Sequence, residues 1–521
     1  MAKNAYPDLI DSEFVFEALL GHGMFTSKLP PCFSSVSLFD YVKNNTPDSK
    51  INNHAYVEYK STRNTNVPRL LAVPHPESYI KLCQSIKEYW SQINEHIGMP
   101  ANKFNFCHVR KIKDKKIIFE MNYEGSDKWG KEELELDYAL GCKYVVLADI
   151  STFFPSVYAH SIPWAAQNKE WAKQHQCTSD SNKKKNKGAN CGRFQNQPCP
   201  HEKIDLWSND LDKVSRSVKD GETNGLLIGP HSSNIISEII LTKVDVALQQ
   251  EGFTKVIRHI DDYTFFAKNE TEANEFLRTL NIELKKYELT LNAKKTSIIP
   301  YQSYVSKNWI SKLSQFIFPD RDTIGYTSIN AYIDYSMLLS KECNDYAVLN
   351  YALKVISQMK LSKRAKRLFI KKICQISIQH PYIVPLLEDN VFKFADGDYS
   401  FLNHFLNSFL PIAVETGSTD SIAYILYFSI KYGVKLEDVD WDKIISLNDC
   451  VSILLAYKNC EHFALPLKQF TDEANKILNL PSREQDKFWL FIYETLPKSK
   501  LKGFMKNLKE AGVSFYVHPQ L

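Results

Sequence analysis

The sequence predicts a mixed α+β region with an antiparallel sheet over residues 1–318, followed by an all-helical region over 330–521. Three observations predict it. Tyr144 to Ala148 form an unbroken apolar run that ends in Asp149, the pattern of a buried strand. Lys255–Ile260 and Tyr263–Ala267 are β-rich runs flanking Asp261-Asp262, which reads as a hairpin with two acids at its tip. Beyond Asn330 the strand signals fade, and apolar residues recur at helical spacing, as in Phe401, Leu402, Phe405, Leu406, Phe409 and Leu410.

Taken in chain order, Asn66–Pro76 is a short apolar strand punctuated by prolines, and Glu77–Trp90 has helical spacing. Lys116–Glu124 reads as another strand. A polar insertion, His175–His201, is rich in Lys, Asn, Gln and Ser and reads as a long loop. In Thr223–Leu248 a glycine-bearing turn, Gly225 to Pro230, leads into a helix with Ser232 or Ser233 as its N-cap and Ile235, Ile236, Ile239 and Ile240 on its buried face. Pro319–Asn330 is the expected linker. Val348, Ala352, Val355 and Met359, and later Ile422, Ile425, Leu426 and Ile430, mark helices beyond it. Stacked helical hairpins fit this pattern, but no fixed period is found, so a regular repeat is left open.

Hydrophobic residues at 44% and charged residues at 24% are ordinary for a globular chain, and a net charge of +4 permits a nucleic-acid partner without arguing for one. Eleven scattered cysteines are not a disulfide framework, so a reducing cytoplasm is expected. The first twenty residues lack the basic flank and apolar run of a signal peptide, and no apolar stretch is long enough to span a membrane.

Asp149 and the Asp261-Asp262 pair carry the chemistry. A carboxylate at the end of a buried strand stands at the rim of the core, within reach of solvent and ions. Adjacent carboxylates repel, and a divalent cation makes such a pair favourable. Transfer of a phosphoryl group to a 3′-hydroxyl uses two cations about 3.5–4 Å apart, and magnesium takes oxygen ligands. Taken singly, each of these acids reads as an ordinary turn or cap residue. Their order along the chain, with the glycine turn and helix between them, makes that reading the weaker one.

DISTFFPS, NGLLIGPHSSNIISEI and HIDDY resemble motifs A, B and C of the reverse-transcriptase palm. NVPRLLAVP is similar to the fingers motif and LTLNAKKTSII to motif D, so the likeness runs over roughly residues 25–310. The resemblance implies a right-hand-like polymerase of fingers and palm. Asp149, Asp261 and Asp262 are its implied catalytic acids, and with Ile150 they form the implied site for two Mg2+ ions, which Mn2+ can replace. It implies nucleotide binding by Arg69, Phe154, Gly229, Lys294 and Lys295. Phe154 would be the steric gate beneath the sugar, which selects deoxynucleotides because a buried ring leaves no room and no partner for a 2′-hydroxyl. Phe153 would then face the core. One departure is His259, where most members carry Tyr or Phe; this bears on primer handling rather than on the metals, and a packed strand histidine is an equal reading.

DISTFFPSVYAHSIPWA, the helix after the glycine turn and the helical C-terminal half resemble the abortive-infection and defence-associated reverse transcriptases of bacteria. That resemblance implies deoxynucleoside triphosphates and DNA as substrate and product and a role in antiphage defence; the helical C-terminal half, which carries no catalytic signature, is expected to shape the product channel or to make homo-oligomer contacts. Some members copy a partner non-coding RNA. Others synthesise DNA without a template, priming on their own tyrosine. Tyr6 and Tyr41 are early-chain candidates among 27 tyrosines. Two alternatives stay open: an RNA polymerase on a similar palm, against which Phe154 argues, and a non-catalytic nucleic-acid-binding scaffold with a relic palm, against which the three acids argue. Two lesser signals sit in the polar insertion. His175, Cys177, Cys191, Cys199 and His201 are zinc-ligand types at unusually wide spacing, so a plain loop is the better reading. Lys183, Lys184, Lys185, Lys187 and Arg193 are either a phosphate-contacting run or a solvated one.

Overall fold

The computed structural model describes residues 11–45, 50–63, 68–98, 108–111, 117–120, 130–175, 206–306, 309–319 and 322–520. Tyr6, Cys177, Cys191, Cys199, His201 and the basic run from Lys183 to Arg193 lie outside the described residues.

Strands β1 (Tyr56–Ser61) and β2 (Arg69–Pro74) form an antiparallel hairpin with Ser61 opposite Arg69. β3 (His108–Lys111) and β4 (Ile117–Glu120) form another. The principal sheet is built from β5 (Tyr144–Asp149), β6 (Val256–His259), β7 (Asp262–Ala267) and β8 (Ser297–Pro300), in the order β6-β7-β5-β8 and antiparallel throughout. Both faces of this sheet are covered, which is why β5 reads as a continuous apolar run rather than an alternating one. Val146, Ala148, Phe265 and Ala267 belong to the main core, while Val145, Ile257 and Phe266 form a small cluster on the opposite side.

Helix α1 (Pro76–Glu88) follows β2 and starts on Pro76, whose missing N–H costs nothing at that position. A four-residue helix, α2 (Phe153–Ser156), follows β5. Helix α3 (Ser232–Gln250) packs against α4 (Glu270–Lys285), which in turn covers β5 and β7. The start of α3 differs from the expected one. His231 holds the N-cap position without a side-chain capping bond, and Ser232 and Ser233 lie inside the first turn. Ser233 turns its hydroxyl back to donate to the Leu227 carbonyl at 2.6 Å, so it ties the helix to the glycine turn rather than capping it.

From Tyr326 onward the regular elements among the described residues are helical. They are α5 (Tyr326–Cys343), α6 (Ala347–Ser357), α7 (Lys363–Gln379), α8 (Ser400–Glu415), α9 (Thr419–Tyr432), α10 (Cys450–His462), α11 (Ser482–Asp486) and α12 (Trp489–Thr495), with short helices between and after them. Neighbouring helices pack in sequence: α5 on α6 and α7, α8 on α9, α9 on α10, and α10 on α12. Helices α9, α10 and α12 also pack against β1. The Thr62 amide and hydroxyl both donate to Asp420 on α9, at 2.6 and 2.9 Å. Tyr424 donates to the Leu29 carbonyl at 3.2 Å, and Phe33 makes an isolated antiparallel bridge with Tyr516. One hydrophobic core therefore runs from Val15 to Phe515 through both halves of the chain.

Candidate active site

Strand pairing brings the three acids together. Asp149 closes β5, and its register partner on β7 is Asp262. β6 and β7 are joined through Ile260 and Asp261, with His259 opposite Asp262. So tight a connection forces an unusual backbone. Ile260 sits at φ +58°, the left-handed region that a β-branched side chain rarely adopts. The Asp261 carbonyl accepts from the Ile150 amide at 3.2 Å, which ties the hairpin tip to the residue after Asp149. Ile150 itself is buried and bridges to Leu291.

Asp149 is only 6% exposed, and its carboxylate is held on both oxygens: Asn292 donates to Oδ2 at 2.9 Å and Lys295 to Oδ1 at 2.7 Å. Lys295, not Lys294, is thus the lysine that reaches the acids; Lys294 is exposed. Asp261 is shifted above the usual carboxylate range by burial and by the charge of Asp149, with Lys295 and Arg69 opposing. Asp262 is pushed up to about 6 by loss of hydration, by Asp261, and by a hydrogen bond with Asp149. Burial is the larger cause of both shifts, and the mutual repulsion of the three carboxylates adds to it beyond what Lys295 and Arg69 offset. In this conformation Asp149, Asp261 and Asp262 do not all bring an oxygen to within 4.8 Å of the other two. Leu147, Asp149, His259, Asp262, Tyr263 and Lys295 are among the residues lining a cleft of about 460 Å3.

Asp261, Ile150, Lys294, Arg69, Phe154 and Gly229 do not line that cleft; Phe154 and Gly229 belong to the glycine turn and its neighbours. The Leu226 amide donates to the Phe154 carbonyl at 2.7 Å, and the Gly225 amide to the Val157 carbonyl at 2.6 Å. The turn then runs along β2, where the Ala72 amide donates to the Ile228 carbonyl at 2.8 Å. Gly225 sits at φ +85°, and a Cβ there would lie 2.9 Å from the Pro155 carbonyl oxygen, so only glycine fits. Gly229, at φ +129°, would place a Cβ 3.1 Å from the Ala72 carbonyl oxygen. Phe153 and Phe154 are both buried, with ring centroids 5.2 Å apart and planes tilted by 51°. Arg69 is exposed at the start of β2, close enough to Asp261 for each to bias the other's proton affinity.

Sequence reasoning passed over Asn292 and Arg258. Asn292 carries no pattern beyond an ordinary turn residue. Arg258 did leave a signal, as a lone charge inside the apolar strand run KVIRHI. It is fully buried and paired with Glu238 and Asp245 of α3.

A second cluster lies between the β1–β2 hairpin and α11. His54, His75 and Asp486 bring ligand-type atoms to within 4.8 Å of one another. The two rings stack face to face, with centroids 3.9 Å apart and planes 11° apart. A metal must lie in the plane of each imidazole that binds it, so one ion cannot serve both. The His75 Nδ1 accepts from the Glu77 amide at 3.3 Å, which requires that nitrogen to be unprotonated, and burial keeps the ring neutral. Burial alone would also lower His54. A hydrogen bond to Asp486 and an ion pair with Glu77 at 3.4 Å outweigh it and raise His54 to about 9. The cluster is an ion pair on a stacked ring.

At the three acids the donor chemistry does fit a cation. Carboxylate oxygens with excess negative charge suit Mg2+ or Mn2+. Residues 82–305 match the family model described as reverse transcriptase (RNA-dependent DNA polymerase), a span that contains all three acids, Phe154, Gly229, Lys294 and Lys295. No curated protein sequence matches the chain. Solved structures similar to it include telomerase from Candida albicans with a fragment of telomeric RNA, at 12% identity over 73% of this chain and 65% of that one, TM-score 0.29. A truncated apo telomerase from Candida tropicalis gives 12% identity over 51% and 53%, TM-score 0.27. A fuller apo form gives 11% over 74% and 72%, TM-score 0.32. The chain thus spans less than two thirds of the length of the first two, and scores of this size establish no shared overall fold.

Proposed function

We propose that this chain is a reverse transcriptase that adds deoxynucleotides to a 3′-hydroxyl. The observation that carries the reading is the register pairing of Asp149 with Asp262, beside Asp261, inside the segment that matches the reverse-transcriptase family. Asp149, Asp261 and Asp262 would hold Mg2+, with Ile150 beside them. The cation supplies charge neutralisation at the phosphoryl oxygens. The chain's own residues do the rest. Lys295 offsets part of the acidic charge and is free to turn toward phosphate, being two-thirds exposed. Arg69 offers a guanidinium fork to a triphosphate. Gly225 and Gly229 let the turn approach closely, and Phe154 excludes a 2′-hydroxyl. Template, primer and product would be nucleic acid. The antiphage role rests on the resemblance of the motifs and the helical C-terminal half to defence-associated members. No helix among the described residues is long and apolar enough to cross a membrane.

The experiment is synthesis by purified protein with Mg2+, offering deoxynucleotides and ribonucleotides separately, with and without co-purifying RNA. Deoxynucleotide incorporation is expected. Asp261→Asn is expected to reduce it by roughly 10³-fold or more, the scale on which charge-stabilising groups act in phosphoryl transfer. Undiminished synthesis by that variant would refute the assignment. Sequencing the product separates copying of a non-coding RNA from untemplated addition.

A further inference from the structure

Arg258 is the largest fully buried side chain in the described structure, and it lies on β6, three residues before Asp261. A buried guanidinium is costly unless all of its donors are used. Here all five are. Nε donates to Asp245 at 3.0 Å, Nη2 to Asp245 at 2.8 Å and to Glu238 at 2.9 Å, and Nη1 to Glu238 at 3.0 Å. The fifth N–H, from Nη1, donates to the Ile260 carbonyl at 2.9 Å. Glu238 and Asp245 are seven residues apart, two turns along one face of α3. Tyr263, which follows Asp262, donates to the same Asp245 at 3.2 Å.

The fifth bond has the consequence. Ile260 occupies the left-handed region, where a β-branched residue is strained and persists only if its surroundings hold it. Its carbonyl belongs to the peptide plane that leads into Asp261. Holding that carbonyl fixes the plane, while the Ile150 amide fixes the next one through the Asp261 carbonyl. The two acids are thus aimed by two backbone anchors, and the first is Arg258 braced against α3. That same helix begins at the glycine turn bonded to Phe154 and Ala72.

We propose that Arg258 is a positioning residue for the cation-holding tip: braced by Glu238 and Asp245, it enforces the left-handed backbone at Ile260 that aims Asp261 and Asp262 at Asp149. The inference rests on the reading of those acids as cation ligands. Arg258 touches neither substrate nor cation.

The test is Mn2+ binding, by electron paramagnetic resonance on the full chain without nucleic acid, together with the Mg2+ dependence of synthesis. Arg258→Lys keeps the charge but cannot supply five donors. It is expected to weaken Mn2+ binding and raise the Mg2+ requirement by about 10–100-fold, the usual cost of removing a group that orients a metal ligand. The KM for deoxynucleotide should stay near the wild-type value. Glu238→Gln, which keeps the side-chain shape, is expected to move the same quantities in the same direction but less far, and it serves if Arg258→Lys does not fold. The decisive arm is Ile260→Gly, because glycine adopts this backbone freely. It should restore much of the Mn2+ affinity to Arg258→Lys or to Glu238→Gln, and a purely structural ion pair would show no such rescue. Wild-type Mn2+ affinity in both brace variants, or no recovery on adding Ile260→Gly, would overturn the proposal alone. Absence of Mn2+ binding and of synthesis in the wild type would overturn the reading it rests on as well.

Discussion

Asp262 shows how the site trades stability for chemistry. With its carboxyl raised from 3.8 to about 6, it binds a proton more tightly folded than unfolded. The metal-free fold therefore loses stability as pH rises through that window, and a bound cation should restore it. Mg2+ is expected to raise the melting temperature more at about pH 7.5 than at about pH 5, and Asp262→Asn should raise that of the metal-free protein while abolishing synthesis. A melting temperature lowered by Asp262→Asn would contradict this. At Phe154, the 2′-hydroxyl reading predicts that Phe154→Ala increases ribonucleotide use relative to deoxynucleotide by roughly 10–100-fold, measured as the ratio of kcat/KM values. No gain would remove Phe154 from sugar selection. The three acids were legible because each stands at the end of a strand or at a hairpin tip, whereas the lysine was narrowed only to Lys294 or Lys295, through the resemblance to motif D. Asn292 was not, because a turn asparagine looks the same whether or not it bonds a carboxylate 143 positions earlier.

The element that depends most on its local geometry is the turn from Gly225 to Pro230. Gly225→Ala would place a Cβ 2.9 Å from the Pro155 carbonyl oxygen at φ +85°, and is expected to cost about 1–3 kcal/mol by urea unfolding. Gly252→Ala, also at positive φ (+91°) but with no atom within 4 Å of the added carbon, separates backbone strain from clash and should cost less. Elements of this kind were only partly readable from the sequence. β5, the β6–β7 hairpin and helices α6, α8 and α9 showed in their apolar spacing because that spacing records which faces are buried. The cap at the start of α3 did not, because Ser233 lies inside the first turn and donates its hydroxyl to the Leu227 carbonyl instead of accepting from a helix N–H. The left-handed Ile260 was equally hidden, since no propensity places isoleucine there.

At the scale of the whole molecule, the helical half is packed onto the first hairpin rather than trailing behind it. Helices α9, α10 and α12 cover β1, whose Val57 and Tyr59 are fully buried. A chain ending near residue 325 is expected to be insoluble or unfolded, since it would expose that surface; a monodisperse, folded product would show the halves to be independent. Part of the joint is the His54 cluster. His54 is raised to about 9 by Asp486 and Glu77, so its contribution to stability is full below about 6.5 and is lost as pH rises through about 9. The melting temperature should fall across that interval, and His54→Asn should flatten the fall. Such joints escape sequence reading because His54 and Asp486 are 432 positions apart and neither stands in a pattern.

The central claim is that Asp149, Asp261 and Asp262 together hold divalent cations. Anomalous scattering from crystals soaked in Mn2+ tests it most directly. The expected result is signal between the β5 end and the β6–β7 tip, absent in Asp261→Asn. Signal elsewhere with none at this site, or unchanged signal in that variant, would contradict it.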